Sequence, residues 1–104
     1  MPLPNQNDQI ITLDEASKLT KRYREKIKQG EVLGGLFWKN GLEKLLSQSN
    51  CVAMRYYYGI NDDGKPVIIL VGVNDSGDDI IDGVLLEIGP LCPPFCPSMN
   101  QLNS

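Results

Sequence analysis

The chain has 104 residues, 41% of them hydrophobic and 22% charged, with a formal net charge of −3 and no histidine. That length makes one domain able to bury a core without staples. No run approaches the ~18 apolar residues of a membrane-spanning helix, three cysteines are the wrong parity for a secreted disulfide framework, and the lack of histidine removes the commonest general base.

Residues 1–10 open without a charged start or an apolar run, so they do not read as a signal peptide. They are expected to form a short disordered lead, and the default compartment is cytoplasmic. Export by a route without an N-terminal signal stays open.

Thr12-Leu13-Asp14-Glu15 is a capping box. The Thr12 hydroxyl suits the Glu15 amide, and the Glu15 carboxylate can reach back to the cap. Leu13, Ala16, Leu19, Tyr23 and Ile27 then recur at three and four residues, one face of a helix. Acidic residues at its start and lysines at its end suit the macrodipole, and Gly30 is a natural stop. The spacing predicts a helix over 13–29.

The other faces of that helix carry Lys18, Lys21, Arg22, Arg24, Lys26 and Lys28. A solvated face is the plain reading and a protein partner for Lys18, Lys21 and Arg22 the sharper one. Nucleic acid is disfavoured, because the chain as a whole is acidic and the only aromatic on this helix is sent inward. Residues 1–50 hold eight Lys/Arg against six Asp/Glu, and residues 51–104 hold two against seven. A basic helix beside an acidic sheet favours pairing within one molecule or between copies.

After a flexible joint at 30–35, Leu36-Phe37-Trp38 reads as a short extended piece. Asn40 can cap a second helix over 41–48 that buries Leu42, Leu45 and Leu46. Trp38 is expected in the core, where aromatic area is most useful, with partner binding as its alternative.

Residues 51–88 read as a three-stranded antiparallel meander, because one turn phrase occurs twice. Asn61-Asp62-Asp63-Gly64 and Asn74-Asp75-Ser76-Gly77 are each Asn-x-x-Gly between apolar runs. Asn suits the start of such a turn and Gly its left-handed close. The strands fall at about 51–58, 66–73 and 80–88. In the first, Arg55 and Tyr57 face one way and Tyr56 and Tyr58 the other. Filling the layer under a helix is the structural reading of these tyrosines; a binding platform or a small-ligand pocket against helix 13–29 is the functional one. The second strand is apolar throughout, as a central strand covered on both faces would be. Asp82 and Gly83 interrupt the third, so a bulge or an edge is expected there. The acidic turns lack the first and twelfth anchors of a calcium loop, and solvated turns are preferred.

The tail, 91–104, carries Cys92-Pro93-Pro94-Phe95-Cys96. Its prolines exclude a helix. The two cysteines are too far apart in an extended chain to bond, so a disulfide needs a tight turn, for which a cis Pro94 is one route. A zinc site needs four ligands; Cys92, Cys96 and Cys51 supply three and a carboxylate or a second molecule the fourth. An idle tail, a disulfide and a metal or redox site all remain open.

Thr12, Glu15 and Ala16, then Arg55, Tyr58, Gly59 and Gly64, then Cys92, Pro93, Pro94 and Cys96 resemble a group of small bacterial proteins. These share a capped helix, an acidic-turn meander and a Cys-Pro-Pro-x-Cys end. The resemblance implies a common fold and no activity.

The expectation is therefore an α+β domain over 11–90, its meander packed by both helices. It reads as a non-catalytic binding or assembly module, with a protein partner or self-association and no cofactor. The candidate contact residues are Lys18, Lys21, Arg22, Trp38, Arg55 and Tyr57. The alternative is a redox or metal site built on Cys92 and Cys96, with or without Cys51.

Overall fold

The computed structural model describes residues 3–104 and shows an α+β fold. Helix α1 spans Leu13–Lys26 and helix α2 spans Lys39–Leu46. Strands β2 (Ala53–Ile60), β3 (Pro66–Val73) and β4 (Leu85–Glu87) form an antiparallel sheet in that order. Strands β1 (Gly34–Gly35) and β5 (Leu91–Cys92) pair antiparallel as a second, small sheet.

The repeated turn phrase folds the same way twice. The Asn61 N–H donates to the Lys65 carbonyl at 2.9 Å, and the Gly64 N–H to the Asn61 carbonyl at 2.9 Å. The Asn61 Oδ1 accepts from the Asp63 and Lys65 amides. Asn74 repeats each of these bonds with Asp78, Gly77 and Ser76. Gly64 and Gly77 close the turns at φ 77° and 85°, which glycine adopts without steric cost.

The sheet registers sort the side chains. Residues opposite each other share a face. Tyr56 faces Leu70, which faces Leu86, so these lie on one face with Met54, Tyr58, Ile68 and Gly72. Arg55, Tyr57, Ile69, Val71 and Leu85 lie on the other. Helix α2 packs against β3 and β4 on the first face, where Leu45 is 0% exposed beside the buried Leu70. Gly41 in the first turn of α2 permits that approach, since a Cβ there would lie 3.1 Å from Leu86 Cδ2. As expected, β3 is central and the best buried strand, with Val67, Leu70, Val71 and Val73 in the core.

The structure corrects several boundaries. Helix α1 ends at Lys26, not 29: Ile27 leaves in extended backbone, and Gly30, at φ 89°, serves a separate turn in which the Glu31 N–H donates to the Lys28 carbonyl. Helix α2 starts at Lys39, with Trp38 rather than Asn40 at its cap position and no side-chain cap bond. Leu46 is exposed, because α2 turns only Leu45 fully onto the sheet. Trp38 is 69% exposed and not in the core. The third strand shrinks to Leu85–Glu87. Ahead of it Asp79 makes one isolated bridge to Val73, and the chain turns at 81–83 before rejoining the sheet.

Helix α1 lies over the same sheet face as α2 but buries none of its residues. Its residues nearest the protein are Ala16, Ser17, Thr20, Arg24 and Ile27, a stripe rotated from the apolar one read in the sequence. Polar ties hold it: the Tyr23 hydroxyl donates to the Val32 carbonyl at 3.1 Å, and the Arg24 guanidinium to the Leu102 and Ser104 backbone oxygens at 2.5 and 2.7 Å. Capping follows the box, with the Glu15 N–H donating to Thr12 Oγ1 at 3.1 Å.

Candidate interaction site

Strand β2 is an outer strand of its sheet. Its hydrogen-bonding sides follow from the hairpin. Asn61 and Lys65 form a hydrogen-bonded pair, so counting back along β2 the odd-numbered residues bond to β3 and the even-numbered ones point outward. The far side of β3 agrees, since even-numbered Ile68 and Gly72 accept there from Ile88 and Ile80. Among the described residues, no other backbone group bonds to the outward side of Met54, Tyr56, Tyr58 or Ile60.

The same four residues carry an apolar row. Met54, Tyr56, Tyr58 and Ile60 are 42%, 53%, 77% and 72% exposed. The Tyr56 and Tyr58 rings meet edge to face at 5.4 Å, the preferred arrangement for aromatic quadrupoles. Residues 3–7 and Gln9 line a hollow with Val52, Ala53 and Met54 at the start of this strand.

Beside the row, an apolar groove of about 340 Å³ separates α1 from the sheet. Leu19 and Tyr23 of α1 form one wall, Tyr58, Ile68 and Ile88 the other, and Leu102 of the tail closes one side. The Tyr58 side of the expected ligand pocket is therefore present, while Tyr56 stays outside it.

On the opposite sheet face, Arg55 and Tyr57 converge on Asp79. The Arg55 guanidinium and the Tyr57 hydroxyl both donate to the Asp79 carboxylate, one to each oxygen. Arg55 also donates to the Gly77 carbonyl at 3.3 Å. Since Arg55 stands opposite Val71, and Asp79 beside Val73, these side chains reach across the central strand. The Tyr57 hydrogen bond, followed by the Arg55 hydrogen bond and charge, holds the Asp79 carboxyl below its usual range against an opposing desolvation. The same bond, with desolvation, holds the Tyr57 phenol above its usual range. The Asp79 bond and charge raise the Arg55 guanidinium further.

The remaining candidates lie apart. Lys18 pairs with Asp14 at 3.2 Å, one helical turn away, a contact of small energetic weight at a surface. Lys21 lines a shallow hollow with Lys18, Met99 and Gln101. Lys21 and Arg22 join no ion pair among the described residues. Trp38 borders a different hollow, with Phe37, Asn40 and Glu87. The six residues read as contacts thus occupy three separate places.

Cys92 and Cys96 come together: their sulfurs lie at bonding distance with Cα atoms 4.7 Å apart. The peptide bonds before Pro93 and Pro94 are both cis. Cys92 is buried in β5, where its carbonyl accepts from the Leu33 N–H at 2.7 Å, while Cys96 is exposed. Cys51 is elsewhere, its thiol donating to the Ala53 carbonyl at 3.2 Å and lying against Gly72. Among the described residues, no three His, Cys, Asp or Glu side chains gather as a metal site.

No family model matches the chain, and no curated protein or solved structure matches it. Sequence reading missed Met54 and Ile60 as surface residues and Asp79 as the partner of Arg55 and Tyr57. The signal for the first was the clean alternation of β2, which fixed the face but not the exposure. For Asp79 there was none, because its place depends on the isolated bridge to Val73.

Proposed function

We propose that this chain is a small binding or assembly module acting through protein–protein contacts, with the β2 edge as its contact surface. The observation that carries the reading is the coincidence, on one strand, of unpaired backbone groups and an exposed apolar row. An open edge is a template for another strand, and a contiguous apolar patch on a small domain marks a contact site. Lys21 and Arg22, apart from that edge, offer a basic surface that favours an acidic partner. The cytoplasm is the compartment we assign to it.

The test compares wild type with Tyr56→Lys/Tyr58→Lys and with Lys21→Glu/Arg22→Glu as immobilised bait, each checked for native circular dichroism. Wild type should retain its own copies or a distinct protein, and the strand variant should lose them. Equal retention by wild type and the strand variant refutes the edge as the contact, and no retention by wild type refutes the module.

A second reading is favoured by the joined sulfurs of Cys92 and Cys96. A thiol pair with one exposed sulfur suits attack by an external thiolate, so a redox role for the tail is the alternative. A titration against glutathione buffers tests it: a two-electron transition within the range of cellular thiol pools supports it, and a pair locked in one state throughout excludes it.

A further inference from the structure

We infer that the partner of the β2 edge is a second copy of this chain, paired antiparallel across a two-fold axis through Tyr57. This rests on the contact reading above and narrows it to one occupant and one register.

The register follows from hydrogen-bond parity. Only even-numbered residues of β2 turn their N–H and C=O outward. A two-fold axis between residues would set outward groups against inward ones, so the axis passes through a residue. Only an axis at Tyr57 sets Met54, Tyr56, Tyr58 and Ile60 entirely against one another. Tyr56 of one copy then faces Tyr58 of the other, and Met54 faces Ile60. Each such pair is a hydrogen-bonded pair, and each joins side chains on one sheet face.

Charge agrees with that register. Arg55 is the only charged residue of β2. An axis at Arg55 would oppose two guanidinium groups, which is unfavourable across strands. An axis at Tyr57 sets each Arg55 against Gly59 instead. Because Asp79 already draws Arg55 across the sheet, no charge of β2 itself is left to repel a second strand.

Complete cover of the exposed row sets the upper limit of the side-chain area such a dimer buries. At about 200 Å² per large side chain, covering the exposed parts of the four residues removes on the order of 500 Å² per copy, or about 1,000 Å² in all. That is the lower end of specific interfaces, to which the backbone ladder adds. The tyrosine pairs extend the edge-to-face contact that Tyr56 and Tyr58 already make. The groove between α1 and the sheet opens beside the row at Tyr58.

The test is sedimentation of the full chain over a concentration series, with two cross-linking variants. Wild type should show a reversible dimer. Tyr58→Lys should weaken it by tenfold or more while keeping native circular dichroism. In a Cys51→Ser background, Tyr57→Cys should form a covalent dimer under mild oxidation, since the two residues face each other as a non-hydrogen-bonded pair about 4.5 Å apart between Cα atoms. Ile60→Cys should not, since its copies lie roughly 20 Å apart along the strands. A wild-type chain that stays monomeric overturns the inference. If such a monomer still holds another protein through Met54–Ile60, the contact reading survives alone; if it holds nothing, both fall. A dimer that cross-links through Ile60→Cys but not Tyr57→Cys, or that ignores Tyr58→Lys, overturns the register or the edge.

Discussion

Replacing Gln48 by alanine tests how the short third strand is attached to the domain. The Gln48 amide bridges two elements: its Nε2 donates to the Leu45 carbonyl at the end of α2 at 2.8 Å, and its Oε1 accepts from the Val84 N–H at 2.8 Å. Gly72 and Gly83 leave the space it fills. A Cβ at Gly72 would come 2.8 Å from Nε2, and one at Gly83 would press into Oε1. Alanine at 48 strips the half-buried Val84 amide of its acceptor, which costs about 1–2 kcal/mol. For a domain of this size that lowers Tm by roughly 5–15 °C. Gly83→Ala should cost a similar amount through the clash, and part of that cost disappears once Gln48 is absent. The two changes are therefore coupled, with an interaction energy of order 1 kcal/mol, readable from a double-mutant cycle of urea midpoints. A Gln48→Ala protein within ~0.5 kcal/mol of wild type, or strictly additive costs, would refute the bridge.

Two other outcomes follow from the same chemistry. Asp79 has a folded-state pKa below its unfolded value, so its stabilisation is complete above the ordinary carboxylate pKa of about 4 and is lost as pH falls through the lower folded value. Wild type should lose stability on acidification through that window. Asp79→Asn should lose less over it, and equal acid slopes in urea melts of the two proteins would show that Asp79 carries no such linkage. Opening the Cys92–Cys96 link releases a loop of sequence separation 4, which the chain-entropy relation values at about 2 kcal/mol. Cys92→Ser/Cys96→Ser should be less stable than the oxidised wild type by that amount and indifferent to dithiothreitol; a variant as stable as the oxidised protein would count against the link.

What the sequence made legible was local. Both Asn-x-x-Gly turns and the Thr12–Glu15 cap depend on groups within a few residues, and each folds as its chemistry dictates. The central place of β3 was legible because an unbroken apolar run has no solvent face to offer. What depends on distant chain was not. Gly34–Gly35 has the poorest strand propensity available and is a strand only because Leu91–Cys92 lies beside it. Trp38 carries the most apolar area in its segment, yet α2 begins directly after it and turns it outward. The apolar stripe of α1 has the right period, but the tethers at Tyr23 and Arg24 fix the helix with that stripe half-open over a groove. Periodicity reports that a face is apolar; it does not report what covers it.

The two outer strands of the sheet make the same point about the contact site. Sheets protect their edges by shortening the outer strand, by bulges or by charge. Strand β4 uses the first device: it is 3 residues long and follows a turn at 81–83. Strand β2 is neither short nor charged along its edge, and residues 3–7 line a hollow only with its start. It is 8 residues long and pairs along its whole length with β3. Its one charge is committed to Asp79 on the face away from the helices. A chain that guards one edge and leaves the other long, uncharged and lined with two tyrosines carries an asymmetry that burial of the second edge by another strand would resolve. The pairing would stop at two copies, because among the described residues the other edge of each three-stranded sheet is the short β4.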